Sequence, residues 1–190
     1  HTRLNEAHVA RSCALLHDLR PDDVVVNGFP LFHVAGAFVY GLSTLSAGGE
    51  LLIPGRLGMR DPAFTGAIWQ QVERHGVTIL AAVPTLLAAF NGVPLDADIS
   101  TLRALLTGGS PLPTELAEAT ERKTGKPVRN ILGMTECAGC IAVEPLHGPR
   151  TPGSCGLRMP FSKVVALADY GDGDPDTSQR TAQGETGIIA

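Results

Sequence analysis

The stretch LRALLTGGSPLPTELAEATERKTGKPVRNILGMTE, residues 102–136, decides the fold of this chain. Residues 102–106 form a short apolar run that is typical of a buried strand, and residues 128–132 form another. Between the two runs, leucine and alanine recur at helical spacing up to Gly125, a residue type that often ends a helix. A strand, a helix and a second strand in this order predict two parallel strands joined by a crossover helix.

The same alternation continues toward the amino terminus. A first helix is predicted from positions at helical spacing, which are Leu4, Ala7, Arg11, Ala14 and Leu15. A second helix is predicted over residues 33–45, and a third begins at Asp61, whose carboxylate can cap it, and ends before Gly76. The strands that alternate with these helices are residues 24–26, 50–53 and 77–83. We therefore predict an α/β fold with a doubly wound, mostly parallel sheet and crossover helices on both faces.

The pattern changes after Cys140, where only short β segments remain, at residues 164–167 and 187–190. Proline- and glycine-rich stretches separate them, and residues 169–184 are polar enough to form an exposed hairpin connection. We expect residues 1–145 to form the α/β portion and residues 146–190 to begin a smaller β unit.

Composition narrows the class of protein. The 190 residues carry 15 basic and 19 acidic side chains, a formal net charge of −4, and no basic run, so no nucleic-acid partner is expected. No apolar stretch is long enough to span a bilayer. The four cysteines are too few to staple a secreted domain of this size, and we expect a reduced, cytoplasmic chain.

The candidate chemistry lies just after predicted strands, because doubly wound sheets bind ligands at the carboxyl ends of their strands. Thr135-Glu136 places a hydroxyl beside a carboxylate, which suits a phosphate oxygen and Mg²⁺, although a strand end followed by a solvated charge has the same pattern. Gly108-Gly109 allows a ligand to approach the backbone, or simply forms a tight turn. His33 can meet a substrate carboxylate, or serve as a hydrogen-bonded structural residue.

The spacing Cys137-x-x-Cys140 raises the possibility of zinc or redox chemistry. A structural zinc site needs two further ligands, and Cys155 and His147 are near in sequence but do not form a second pair with the usual spacing. Zinc is therefore the less favoured interpretation.

Six short segments in this order resemble the adenylate-forming superfamily of acyl-CoA synthetases, luciferases and peptide-synthetase adenylation domains. The segments are Pro30-Leu31-Phe32-His33, Val83-Pro84-Thr85, Gly108-Gly109-Ser110-Pro111-Leu112, Gly133-Met134-Thr135-Glu136, Thr151-Pro152-Gly153-Ser154-Cys155-Gly156 and Gly184-Glu185-Thr186-Gly187. The resemblance covers nearly the whole chain and is closest to the acyl-CoA synthetase (fatty-acid–CoA ligase) branch. It implies that residues 146–190 begin a small β-barrel subdomain.

The resemblance implies a two-step ligase reaction, in which a fatty or aryl carboxylic acid and ATP give an acyl-adenylate that CoA then converts to a thioester. Thr135 and Glu136 would be catalytic, with Thr135 on the α-phosphate and Glu136 as the Mg²⁺ ligand. The implied nucleotide-binding residues are Gly108, Gly109, Ser110, Leu132, Gly133, Met134 and Thr135. The implied acyl-pocket residues are His33, Gly109 and Met134.

Departures from the family pattern matter as well. Leu132 stands where the family usually has an aromatic residue against adenine. The phosphate loop, the Thr-Gly-Asp segment and the carboxy-terminal lid with its lysine are not found in these residues. We therefore expect an internal piece of the large N-terminal domain, inactive by itself and prone to self-association through exposed apolar surface.

Two alternatives remain open from the sequence. One is an adenylation module that loads a carrier protein. His33 favours an acyl or aryl acid as the substrate and so counts against this alternative. The other is a non-catalytic α/β binding module.

The 190-residue chain alone is expected not to form an acyl-adenylate, because the lysines of the family are missing from it. The measurement is ATP–pyrophosphate exchange with the purified chain and a panel of carboxylic acids. Exchange above the background of a heat-denatured control would contradict this expectation.

Overall fold

A seven-stranded sheet lies at the centre of the computed structural model, which describes residues 1–168, 176 and 178–190. Its strands are β1 (Val24–Asn27), β2 (Glu50–Leu52), β3 (Ile79–Ala81), β4 (Ala104–Gly108), β5 (Val128–Leu132), β6 (Ala142–Val143) and β7 (Leu157–Arg158). They lie in the order β2-β1-β3-β4-β5-β6-β7. The first five are parallel and the last two are antiparallel. The predicted α/β fold with a mostly parallel sheet is confirmed.

Helices cover both faces of this sheet. They are α1 (Arg3–Leu16), a π-helix (Ala35–Leu42), α2 (Ser43–Ser46), α3 (Pro62–Gly66), α4 (Ile68–His75), α5 (Pro84–Gly92) and α6 (Thr114–Thr124). Successive strand residues point to opposite faces, so Val25 joins the core beneath α1 and the π-helix, while Val26 joins the core beneath α4, α5 and α6. Two separate apolar cores, one on each face, make the sheet doubly wound.

The chain divides into two compact units, His1–Met159 and Pro160–Ala190. In the second unit, β8 (Ala166–Leu167) pairs with β9 (Ile188–Ile189) in an antiparallel ladder. Residues 169–175 and 177, in the predicted hairpin connection, lie outside the described residues. The domain boundary between residues 145 and 146 stays a prediction.

The observed helices differ from the predictions in three details. The predicted helix from Asp61 to residue 75 is two helices, which meet at Ala67, where φ is −118° and ψ is 29°. A further helix, α5, was not predicted, and it begins at Pro84, because the first helical position suits a residue without an N–H. In α1 the predicted Leu4 and Leu15 are exposed, and Val9 and Cys13 face the core instead.

The helix predicted over residues 33–45 exists, but eight of its residues, Ala35–Leu42, form a π-helix. Gly36 lies so close to residue 30 that a Cβ on it would overlap the Pro30 carbonyl oxygen. The Asn27 side chain donates a hydrogen bond of 2.9 Å to the Gly36 carbonyl, which fixes the helix to the end of β1. Because π-helices often occur at functional sites, the carboxyl end of β1 is a candidate functional site.

An ion-pair cluster links the strands of the sheet at their amino ends. Arg103 Nη1 donates to both Asp23 carboxylate oxygens, at 2.7 and 2.6 Å, and its Nη2 donates to Asp18 at 3.0 Å. Thr78 also donates to Asp23, at 2.6 Å. Asp23 is buried, so these bonds offset the cost of removing its charge from water. The cluster ties together the amino ends of β1, β3 and β4.

His17 caps the end of α1 and is completely buried, and neither of its ring nitrogens has a hydrogen-bond partner among the described residues. Burial disfavours the charged ring and lowers the pKa of His17 to about 4. The unfolded chain therefore binds this proton more readily than the folded chain. The folded state is therefore not destabilised by His17 above a pH near 6.5, and it loses stability relative to the unfolded state as the pH falls toward 4.

The free energy of unfolding is expected to fall by about 2 kcal/mol between pH 7 and pH 5 because of His17. The measurement is urea unfolding at both pH values. A His17→Leu variant should lose most of this dependence, whereas His75→Gln, which changes an exposed histidine, should keep it. The same slope in His17→Leu as in the wild type would show that His17 is not its origin.

Among the described residues, no helix is both long and apolar enough to cross a membrane.

Candidate functional site

Two neighbouring cavities lie at the carboxyl ends of β4 and β5. The first, called the polar cavity because charged side chains belong to its lining, has a volume of about 380 Å³. The second, called the apolar cavity because no Lys, Arg, Asp or Glu is among the described residues that line it, has a volume of about 200 Å³. Gly109, Ile131 and Gly133 line both. The two cavities therefore meet at the loops that follow β4 and β5, where a doubly wound sheet is expected to bind its ligands.

The polar cavity is bounded by the loop after β4, by β5 and by the loop between β6 and β7. Its lining residues are Gly109, Ser110, Pro111, Leu112, Asn130, Ile131, Leu132, Gly133, Glu144, Arg150, Thr151, Gly153, Ser154 and Cys155. The Glu144 carboxylate is buried and accepts a hydrogen bond of 2.9 Å from the Asn130 backbone N–H. This bond holds Glu144 against the edge of β5.

Arg150 supplies the positive charge of the polar cavity. Its Nη2 donates to a Glu121 carboxylate oxygen at 3.3 Å, and Arg129 approaches the other oxygen of Glu121 at 4.0 Å. Arg150 Nε is buried and has no hydrogen-bond partner among the described residues. Because Arg150 lines the cavity, its guanidinium brings a positive charge to the lining, while Nε itself is inaccessible.

The apolar cavity lies beside the π-helix. Its lining residues are Phe29, His33, Val34, Ala35, Val39, Tyr40, Gly108, Gly109, Ile131, Gly133, Met134, Thr135 and Gly139. The rings of Phe29 and Tyr40 are stacked, with centroids 5.0 Å apart and an interplanar angle of 18°. Burial raises the pKa of Tyr40 well above its usual value, so the phenol is neutral near pH 7. His33 Nδ1 accepts a hydrogen bond from the Ala35 N–H at 3.2 Å.

Thr135 and Glu136 begin a single 3₁₀ turn, Thr135–Cys137, directly after β5. The turn is closed by a hydrogen bond of 3.1 Å from the Ala138 N–H to the Thr135 carbonyl, and Ala138 has a φ of 58°. Thr135 lines the apolar cavity next to the shared wall. Glu136 is exposed and lines neither of the two cavities.

Gly133 determines how this turn is placed. The chain folds back so tightly after the turn that a Cβ on Gly133 would overlap the Gly139 carbonyl oxygen. The Ile141 N–H then returns to the Leu132 carbonyl, at 2.9 Å. Only glycine permits this approach, which brings the Thr135 turn to the boundary between the two cavities.

The structure divides the site residues predicted from the sequence between the two cavities. The acyl-pocket residues His33, Gly109 and Met134 all line the apolar cavity. Of the predicted nucleotide-binding residues, the polar cavity holds Gly109, Ser110, Leu132 and Gly133, and the apolar cavity also holds Gly108, Met134 and Thr135. The roles of these residues stay predictions.

Several lining residues were missed by sequence reasoning, namely Asn130, Glu144, Arg150, Phe29 and Tyr40. Asn130 could have been predicted from the sequence, because it is a polar residue inside a mostly buried strand. The others could not, since their positions depend on contacts between distant segments.

The metal-binding spacing of Cys137-x-x-Cys140 does not produce a cluster. Cys137 is exposed and Cys140 is buried. In the part of the chain that the structure describes, no three or more His, Cys, Asp or Glu side chains are grouped to hold a metal ion. Glu136 thus offers a single carboxylate, which fits Mg²⁺ bound mainly through phosphates and water rather than an all-protein metal site.

A third cavity, of about 540 Å³, lies where the strand order reverses between β1 and β3. Phe29 lines both it and the apolar cavity, and Arg56 and Arg60 belong to its lining together with apolar residues. Such reversal points are the usual binding crevices of doubly wound sheets.

Neighbouring cavities at the carboxyl ends of the strands of a doubly wound sheet are typical of an α/β protein that binds small molecules. The family model described as AMP-binding enzyme matches residues 1–190. The chain therefore belongs to the AMP-binding enzyme family, and its relatives are CoA ligases.

The similarity extends to named proteins. Marinolic acid–CoA ligase of Pseudoalteromonas sp. (strain SANK 73390) is 36% identical over 145 residues, which cover 76% of this chain and 22% of the relative. Feruloyl-CoA synthase of Amycolatopsis sp. is 34% identical over 161 residues, which cover 83% of this chain and 31% of the relative. Apo MatB from Rhodopseudomonas palustris has a TM-score of 0.80 at 25% identity, over 97% of this chain and 34% of that chain.

The chain spans less than a third of the length of each of these two relatives, 22% and 31%. The activity, substrates and partners of the whole protein are therefore proposals. The resemblance to the adenylate-forming superfamily is confirmed at the level of the family.

Gly133→Ala is expected to destabilise the chain by roughly 2–5 kcal/mol, because its Cβ would overlap the Gly139 carbonyl. Gly92→Ala is the matched control, since a Cβ there meets no atom within 4 Å and neither glycine has a left-handed φ. The measurement is the free energy of unfolding in urea. Equal stability of the two variants would contradict the close approach.

Proposed function

We propose that the whole protein is an ATP-dependent, AMP-forming acyl-CoA synthetase, which joins a carboxylic acid to CoA through an acyl-adenylate. The observation that carries this proposal is the shared wall of Gly109, Ile131 and Gly133 between a polar and an apolar cavity. A nucleotide in one cavity and an acid in the other would meet at that wall, where Thr135 lies.

The polar cavity suits the nucleotide. Its lining includes the polar side chains of Asn130, Ser110 and Arg150, which match the polar edge of a purine and a ribose. Leu132 would contact the base in place of an aromatic residue, through apolar contact rather than ring stacking.

The apolar cavity suits the body of the acid, and its carboxylate would lie near Thr135. In the first step the carboxylate attacks the α-phosphate and pyrophosphate leaves, so negative charge shifts onto the phosphate oxygens. The Thr135 hydroxyl is proposed to donate a hydrogen bond to the α-phosphate, which stabilises that charge. Mg²⁺, held by Glu136 and the phosphates, would supply further charge neutralisation.

The third cavity is proposed to receive the thiol for the second step. Its apolar walls suit an extended organic arm, and Arg56 and Arg60 suit the phosphates of CoA. Phe29, which lines this cavity and the apolar cavity, lies between the proposed thiol and acyl positions.

Two further expectations belong to this proposal. The four free cysteines support a reducing, cytoplasmic compartment. Exposed Phe32, 93% accessible, and Leu4, 78% accessible, support self-association of the 190-residue chain when it is isolated.

In the full-length protein, Glu136→Gln is expected to lower the rate of ATP–pyrophosphate exchange on the order of 100-fold and to raise the Mg²⁺ concentration needed for half-maximal rate. Glu73→Gln, which neutralises an exposed carboxylate on α4, is the matched control and should leave both values unchanged.

An unchanged rate and Mg²⁺ dependence in Glu136→Gln would overturn the role of Glu136. Absence of exchange by the wild type with every carboxylic acid tested would overturn the ligase proposal. It would favour a non-catalytic α/β binding module. Transfer to a carrier protein but not to CoA would favour the carrier-loading alternative.

A further inference from the structure

The size of the apolar cavity limits the acid. Its volume is about 200 Å³, below the roughly 300–1,000 Å³ typical of pockets for drug-sized ligands. A cavity of this size favours an acid with a compact body, such as one six-membered ring, over a long fatty acyl chain.

Gly139 packs closely against the π-helix at one side of the cavity. Gly139 lies so near the π-helix that a Cβ on it would be 2.8 Å from Val39 Cγ2 and 3.3 Å from Val34 Cβ. Close packing of this kind leaves no room for a ligand between Gly139 and these two valines.

The shape of the walls favours a flat body. Four of the lining residues are glycines, which present flat peptide surfaces without side chains, namely Gly108, Gly109, Gly133 and Gly139. The stacked rings of Phe29 and Tyr40 add an aromatic surface. A planar ring loses little conformational entropy on binding in such a slot, whereas an alkyl chain must freeze several bonds.

Charge excludes a second acid group. Among the described residues that line the apolar cavity, none is Lys, Arg, Asp or Glu. The remaining titratable side chains are His33 and Tyr40. A second carboxylate or a sulfonate buried there would have no cationic partner, and burying an unpaired charge costs several kcal/mol or more.

We propose that the substrate is a monocarboxylic acid with a single aromatic ring, of the size of benzoate or phenylacetate. This proposal rests on the proposed function, because the apolar cavity receives the acid only if the polar cavity receives the nucleotide. The ring would lie between the glycine backbone and the π-helix, with its carboxylate at Thr135.

The test is ATP–pyrophosphate exchange by the full-length protein with benzoate, phenylacetate, hexanoate, palmitate and malonate. The kcat/KM for one of the two aromatic acids should exceed that for hexanoate by roughly 10-fold and those for palmitate and malonate by roughly 100-fold or more. A higher kcat/KM for hexanoate, palmitate or malonate than for both aromatic acids would overturn the substrate class and leave the ligase proposal intact. Absence of exchange with all acids would overturn both.

A pair of variants on the π-helix tests whether this cavity sets the preference. Ala35→Leu adds three carbons to a lining residue and removes roughly 90 Å³ of the cavity. It should lower kcat/KM for the aromatic acids at least 10-fold, and activity with acetate should be retained. Ala37→Leu lies on the same helix outside the lining and should leave the acid preference unchanged.

Equal loss in both variants, or no loss in Ala35→Leu, would overturn the assignment of the apolar cavity to the acid. The KM for ATP and the thermal midpoint of unfolding, measured for each variant, distinguish a filled cavity from a misfolded chain. Retained acetate activity with an unchanged KM for ATP in Ala35→Leu would support the assignment.

Discussion

Close backbone contact at the carboxyl edge of the sheet is the constraint on which the site depends. Gly133 lies against the Gly139 carbonyl, and a Cβ on Gly108 would be 2.9 Å from the Ile131 carbonyl oxygen. These approaches bring the loops after β4 and β5 together, so that their glycines can form a thin wall with a cavity on each side. A side chain at either position would separate the loops and remove the shared wall.

The sheet supports this arrangement because hydrogen bonds and ion pairs hold the amino ends of its strands together. Asp23, buried and bonded to Arg103 and Thr78, ties the amino ends of three strands. Apolar cores on both faces prevent the strands from sliding, since a shift by one residue would exchange the two faces. The sheet with its two cores and the close-packed loops after β4 and β5 together place Thr135 at the boundary between the two cavities.

Predictions from the sequence were accurate for features that depend on neighbouring residues, such as helix ends, and poor for features that depend on packing between distant segments. Asp61 caps α3, and Gly76 and Gly125 end α4 and α6 with φ values of 60° and 66°, as residue types alone indicated. Pro84 begins α5, a helix that was not predicted, because a proline after a strand can also occupy the first position of a helix and only packing decides. Of the helical-spacing positions predicted for α1, Leu4 and Leu15 are exposed, where this part of the chain places nothing against them.

By itself, then, the sequence determined the alternation of strands and helices, the mostly parallel sheet, and the loops in which Gly109, Thr135 and Glu136 would lie. These follow from short-range spacing and from conformations that particular residues prefer. The tertiary structure alone decided that Asn130, Glu144 and Arg150 surround one cavity, and that Phe29 and Tyr40 stack beside another. Such groupings arise from packing between segments far apart in the chain, and no local pattern encodes how closely two distant backbones approach.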